Sequence, residues 1–240
     1  MPLRVEHRDR VAILILDDPK RRNALSAEMV DGIVAAVDAA EADDGIGALV
    51  VTGAPPAFCS GADTSNIGAM SGADRDASPV SNIYEGFLAV RRCTLPTVAA
   101  VNGPAVGAGF NLALCCDVRI AATSARFDAR FAQIGIHPGG GHTWMLERAI
   151  GPQAAAAIAL FGERVDGPRA AELGLAWSCV ADDSLLDEAV ALAAKAAALP
   201  PELAIALKAT LREVPWQPDF EAAVATELER QRLSFRQRSS

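Results

Sequence analysis

The chain has 240 residues, 51% of them hydrophobic, enough for a substantial core in one large domain, alone or with a helical appendage. A formal net charge of -8 argues against nucleic acid or an anionic membrane surface as partner. Five cysteines, odd in number and without a Cys-x-x-Cys pair, support neither a disulfide framework nor a zinc site, so no metal is expected.

The first ten residues, Met1 to Arg10, carry charges where a signal peptide needs an apolar core, and no later segment offers the long uncharged apolar run of a membrane span. With the unpaired cysteines, this predicts a cytoplasmic protein. Val11 to Leu16 reads as a strand, and Ser26 as the cap of a helix carrying Met29, Val30, Ile33, Val34 and Val37 on one face. Ile46 to Thr52 is the next strand. The Gly-, Ser- and Asp-rich stretch Thr64 to Val80 predicts a mobile loop leading into a helix from Asn82 to Cys93. A buried strand over Thr97 to Val101, a helix from Ala108, a short strand Val118 to Ala121, and helices over Pro152 to Phe161 and Pro168 to Leu173 follow. From Ser184 the chain reads as helices interrupted by Pro200-Pro201 and Pro215-Trp216-Gln217-Pro218.

Two segments carry the chemical signal. In one, Gly107, Ala108 and Gly109 open a helix directly after a strand and turn; in the other, Gly61 and Ala62 follow the apolar run ending in Phe58-Cys59. A helix start leaves backbone N–H groups unpaired at the positive end of the macrodipole, and small side chains let a ligand oxygen approach the backbone. Two such turns can aim two amides at one oxygen, as an oxyanion hole does. No Gly-x-x-x-x-Gly-Lys sequence or complete Gly-x-Gly-x-x-Gly fingerprint is present, which removes nucleotide-triphosphate and dinucleotide readings.

Phe58-Cys59-Ser60-Gly61-Ala62-Asp63, Ala100-Val101-Asn102-Gly103, Cys116-Asp117, Gly135-Ile136-His137-Pro138-Gly139-Gly140 and Ala170 to Ala176 resemble, in order, the signatures of the enoyl-CoA hydratase/isomerase, or crotonase, family. The resemblance runs from Val11 to about Val180 and is looser beyond. It implies an α/β fold, a spiral of β-β-α units over residues 1–183, with a C-terminal helical region over 184–240 that belongs to the same structural domain. It also implies an acyl-CoA thioester ligand whose enolate is held by the N–H groups of Ala62 and Ala108. CoA then enters as part of the substrate and no separate cofactor is expected. The resemblance places Arg22, Ala24, Leu25 and Ala62 beside the CoA moiety, with Ser65 where a lysine often stands. An acidic chain must meet that anionic ligand with local positive charge, and Lys20-Arg21-Arg22 is the best cluster. Homotrimers or hexamers are implied as well, and the apolar Leu228, Leu233 and Phe235 give such an assembly a surface. Neither nucleic acid nor membrane insertion is expected.

Hydratases of this family use two glutamates to move protons, and motif matching places them at Asn111 and Phe131. Neither side chain can titrate. The family resemblance therefore implies hydration of 2-enoyl-CoA through an enolate, while the residues leave a catalytically inactive acyl-CoA-binding protein, or isomerase, decarboxylase or hydrolase chemistry, open. Asp128 is a candidate substitute, although a surface carboxylate paired with Arg126 or Arg130 is the simpler reading. Asp63 reads as a brace for its turn, Glu85 beside Tyr84 as an ordinary helix residue, and His137 as a structural hydrogen-bonding group or a proton relay. His137 and His142, separated by the Gly139-Gly140-Gly141 turn, have no zinc-ligand logic.

Overall fold

In the computed structural model, residues 2–63 and 79–237 are described. The expected loop from Thr64 lies outside them except for Pro79 and Val80, which already belong to the following helix.

In chain order the elements are β1 (Leu3–Arg8), β2 (Val11–Leu16), α1 (Ala27–Ala42), β3 (Ala48–Gly53), α2 (Pro79–Arg92), β4 (Thr97–Val101), β5 (Pro104–Val106), α3 (Ala108–Cys115), β6 (Val118–Ala122), β7 (Arg126–Asp128), α4 (His142–Ala159), β8 (Val165–Asp166), α5 (Gly167–Glu172), β9 (Ser178–Val180), α6 (Leu185–Ala197), α7 (Pro201–Glu213) and α8 (Phe220–Gln237). Six strands form one sheet in the order β1-β2-β3-β4-β6-β9, and β5-β7-β8 form a smaller one. Only β1 runs antiparallel in the larger sheet.

Every residue of β2, β3 and β4 is buried, as expected of parallel strands covered on both faces. Alternation of side chains divides the core in two. Val11, Ile13, Ile15, Val50, Val98 and Ile120 point to one side, where Leu185, Ala189, Ala193 and Ala197 of α6 cover them. Leu14, Leu16, Leu49, Val51, Ala99 and Val101 point to the other, against a cluster that includes Met29 and Ile33 of α1, Phe87 and Val90 of α2, and Phe110 and Leu112 of α3. The segment after Ser184 therefore contributes directly to the sheet's covering layer. At the start of α1, Ser26 Oγ accepts a hydrogen bond from the Met29 amide at 3.2 Å, as its sequence position predicts.

Helix α4 begins at His142, ten positions before the expected Pro152. The backbone breaks inside it at Gly151 (φ 77, ψ 169), so Pro152 does open a second helical segment. Asp117, beside the larger sheet, ties α7 to the core. Its carboxylate accepts from Lys208 Nζ at 2.7 Å and Arg212 Nη2 at 3.0 Å, and from the Thr97 amide and hydroxyl at 2.9 Å each.

Candidate active site

The two sequence-predicted turns meet through strand pairing. Cys59 bridges Ala105 of β5 in parallel, with the Cys59 amide donating to Pro104 O at 3.1 Å and the Val106 amide to Cys59 O at 3.0 Å. Three residues further along each chain stand Ala62 and Ala108, so the register carries both to the same end of the pairing. Ala62 in turn bridges Leu25. That bridge consumes the Leu25 amide, the Gly61 carbonyl and the Asp63 amide, leaving the Ala62 N–H on the opposite side. Ala108 is the first residue of α3, so its N–H has no intrahelical acceptor. Among the described residues neither amide donates to a backbone carbonyl.

Glycine makes the approach of the two chains possible. Gly61 has φ 101, and a Cβ there would fall 2.7 Å from Val106 O and 3.6 Å from Ala108 N. A Cβ at Gly109 would lie 2.1 Å from Cys59 O. A side chain at either position would push the amide-bearing turns apart.

Asn111, one turn into α3, is buried, and both ends of its amide are engaged. Its Nδ2 donates to Gly139 O at 3.0 Å, which fixes the amide orientation and turns Oδ1 toward His142 Nδ1, 2.8 Å away. Because Oδ1 only accepts, His142 Nδ1 carries the proton and Nε2 holds a lone pair. The imidazole is 1% exposed, its ring edge-on to Phe110 and Phe131 with centroids 5.2 and 5.1 Å away. Burial without a charged partner lowers its pKa to about 4, so it is neutral at pH 7. Nε2 has no hydrogen-bond partner among the described residues. Phe131 is half-buried, and its Cζ lies 3.8 Å from where a Gly107 Cβ would stand, so its ring reaches from His142 to the start of α3. Tyr84 of α2 sets its hydroxyl over Gly139, with its ring 5.4 Å from that of Phe87.

His142 joins both positions that sequence matching singled out, 111 and 131. Sequence reasoning weighed it only as a metal ligand. Its position at the end of the three-glycine turn, opening the helix that faces α3, was the available signal.

The remaining candidates separate clearly. Arg22, Ala24 and Leu25 lie alongside the first amide turn, with the Ser60 amide donating to Arg22 O at 3.0 Å and the Leu25 amide to Gly61 O at 2.8 Å. Arg21 reaches Asp63 at 3.5 Å, so this carboxylate meets the basic cluster beside its turn. Ser65 lies outside the described residues. Asp128 is buried rather than on the surface: its Oδ2 accepts from Arg130 at 2.5 Å and Arg164 at 3.1 Å, while Arg126 instead donates to the Thr123 and Ala125 carbonyls. Arg130 follows β7, and Arg164 precedes β8, which pairs with β7, so the two guanidinium groups meet at Asp128 in an arrangement that residue spacing alone does not disclose. The Asp128 carbonyl also accepts from the Gly107 amide at 2.9 Å, bracing the second turn. Glu85 is exposed and pairs with Arg92 at 2.5 Å, and exposed His137 has Nδ1 2.7 Å from Pro138 O. No group of three or more potential metal ligands occurs among the described residues. A cavity of about 510 Å³, lined by Arg91, Trp144, Lys208 and Trp216 among others, includes none of the amide-bearing turns.

A family model described as enoyl-CoA hydratase/isomerase matches residues 6–238. The chain belongs to this family, the crotonases. It is 54% identical over 202 residues to a probable enoyl-CoA hydratase of Mycobacterium tuberculosis, covering 84% of this chain and 78% of that protein. It is 36% identical over 193 residues to a 1,2-epoxyphenylacetyl-CoA isomerase of Escherichia coli, covering 79% and 74%. An enoyl-CoA hydratase structure from Bacillus anthracis superimposes with a TM-score of 0.89 at 27% identity, covering 95% of this chain and 89% of that one. The α/β crotonase fold with C-terminal helices, expected from the ordered motifs, is thereby established.

Proposed function

We propose that this crotonase binds acyl-CoA thioesters and stabilises their enolate between the N–H groups of Ala62 and Ala108, without the glutamate pair that hydration uses. The parallel register Cys59↔Ala105 supports the proposal, because Ala62 and Ala108 lie three residues beyond it on each chain and, among the described residues, neither amide donates to a backbone carbonyl. A thioester oxygen held there gains charge as the α-carbon loses a proton, and preorganised donors favour that state over the ground state. The CoA moiety arrives with the substrate and no further cofactor is invoked.

On this reading Arg22, Ala24 and Leu25 flank the adenine and phosphates, and Ser65 replaces an ionic contact with a neutral one, so binding is salt-sensitive. Asn111 has both amide ends committed to Gly139 and His142, and Phe131 presents a ring. Each positioned acid or base typically contributes about 10² to 10⁴ in rate, so hydration by the usual pair is crippled while binding persists. The same two residues favour a second reading, a ligand carrier or sensor without turnover.

Assembly as a homotrimer or hexamer would cover Leu228 and Leu233, which are 43% and 49% exposed, and the neighbouring Phe235. A reducing, cytoplasmic setting suits five free thiols, four of them buried.

Calorimetry with CoA and acyl-CoA, paired with turnover on crotonyl-CoA, tests the proposal. Binding with hydration far below about 1 per second supports it. No affinity for any acyl-CoA at low salt overturns it, and hydration at about 1 to 10³ per second overturns the claim that hydration is crippled without the glutamate pair. Turnover on a wider thioester panel separates the enolate enzyme from the carrier.

A further inference from the structure

We infer that His142 is the proton-accepting group of this pocket, its Nε2 lone pair serving the bound acyl-CoA in place of the two absent carboxylates. The inference rests on the acyl-CoA reading above and assigns a role to a residue outside the family's glutamate pair.

Three observations converge on it. Asn111 fixes the imidazole as the Nδ1–H tautomer, since its own orientation is locked by Gly139 O. Nε2 is buried and has no partner among the described residues, and a buried acceptor left unpaired is unfavourable unless something else occupies it. The ring lies against Phe131, which reaches the start of the helix that carries the Ala108 amide. A carboxylate position of the family has thus become the holder of a neutral base. The position of the other has become its apolar cover.

With one base, the balanced chemistry is a proton transfer within the substrate. A C2–H bond of a 3-enoyl thioester breaks and its proton forms a bond to Nε2, giving imidazolium. The electron pair delocalises over the dienolate onto the thioester oxygen, where the two amides meet it. The Nε2–H bond then breaks, the proton joins C4, and the double bond settles between C2 and C3. No oxidant, reductant or second acid is needed, and the imidazole returns to its starting form. Hydration, by contrast, calls for coordinated acid and base positions that a single imidazole flanked by two rings does not supply.

The test uses the 240-residue chain labelled with ¹⁵N-histidine. Long-range ¹H–¹⁵N spectra separate the two nitrogens of each of the three histidines, and the set lost in His142→Asn identifies His142. The free protein is expected to show Nδ1 protonated and Nε2 bare, with Asn111→Leu releasing that tautomer. Adding 3-butenoyl-CoA should move the His142 Nε2 resonance toward a hydrogen-bonded value. In D₂O the native protein should exchange the C2 protons and form 2-butenoyl-CoA. His142→Asn, whose amide still donates to Asn111 Oδ1, should bind the thioester but react at least about 100-fold more slowly. The inference is overturned by an Nε2–H tautomer in the native protein or by an Nε2 resonance unmoved with ligand bound. It also falls if the native protein binds the thioester without exchange, or if His142→Asn reacts at the native rate. A native protein that binds no thioester overturns the acyl-CoA reading itself, and this inference with it. Substituting the exposed His7 and His137 in turn assigns the His142 set by elimination, so the native spectra decide the matter even if His142→Asn does not fold.

Discussion

Asn111 Oδ1 lies 2.8 Å from His142 Nδ1, joining one of the two positions that sequence matching singled out to an imidazole buried between two phenylalanine rings. The bond locks one tautomer, while burial keeps the ring neutral at pH 7. It also gives the site a distinctive response to acid.

The pKa of His142 is lowered from 6.5 to about 4 by burial, with uncharged Asn111, Phe110 and Phe131 around the ring. Between these values the unfolded chain binds more protons than the folded one, so stability rises with pH through this window and falls as pH drops from about 6.5 toward 4. The full effect is roughly 3 kcal/mol. Urea denaturation at pH 7 and pH 5 should show about 2 kcal/mol of this loss in the native protein and a smaller one in His142→Phe. Equal pH dependence in the two proteins would contradict the assignment.

Much of this architecture is legible in the sequence. Val11 to Leu16 is a continuous apolar run and Thr97 to Val101 a run of β-branched and small residues, and both form strands at the bounds expected. Ser26 announces its helix because a capping side chain acts locally. The edge strand Leu3–Arg8 escapes notice because only Leu3 of it is buried, so its composition is that of a solvated segment. The strands of the smaller sheet have two or three residues each, too few to establish a period. Ala62 and Ala108 are proposed from their turns, where small residues and a helix start have a physical reason to be together. His142 is not, because its significance comes from a contact with a side chain 31 positions away. Asp128 illustrates the same limit: its partner Arg164 is set by the pairing of β7 with β8, not by proximity in sequence.

Asp117 accepts from Lys208, which is only 6% exposed, and from Arg212. Replacing Asp117 with Ala leaves the lysine charge buried and uncompensated and frees the Thr97 amide, which should destabilise the fold by about 3 to 5 kcal/mol. Chemical denaturation is the measurement. A change below about 1 kcal/mol, the range of exposed pairs, would show that the cluster is solvated in solution.

Carboxylates at positions 111 and 131, where sequence matching expects them, test what these positions contribute. Asn111→Glu and Phe131→Glu together should raise crotonyl-CoA hydration above the native level, while each alone does little, because groups acting as a unit are non-additive. Glu at 111 loses the bond to Gly139 O but can accept from His142 Nδ1–H, and Phe131 is half-buried, so its replacement has access to water. A double variant that folds, binds acyl-CoA and hydrates no faster would show that the missing pair is not what limits the native protein.

The exposed Leu228 and Leu233 on α8 predict self-association into trimers or hexamers, by sedimentation equilibrium at micromolar concentration. Leu228→Glu with Leu233→Glu should shift the distribution toward monomer. A native monomer under these conditions would contradict the proposed assembly.

The most direct measurement is the ¹³C resonance of a thioester carbonyl in bound [1-¹³C]crotonyl-CoA. Two amides converging from Ala62 and Ala108 should polarise the carbonyl and move the resonance downfield on binding. Proline at position 108 removes one of the two donors, and its φ suits the first position of a helix, so this variant should bind the thioester with a reduced shift. Saturating binding to the native protein with the carbonyl resonance unchanged from its value in water would contradict the account at its centre.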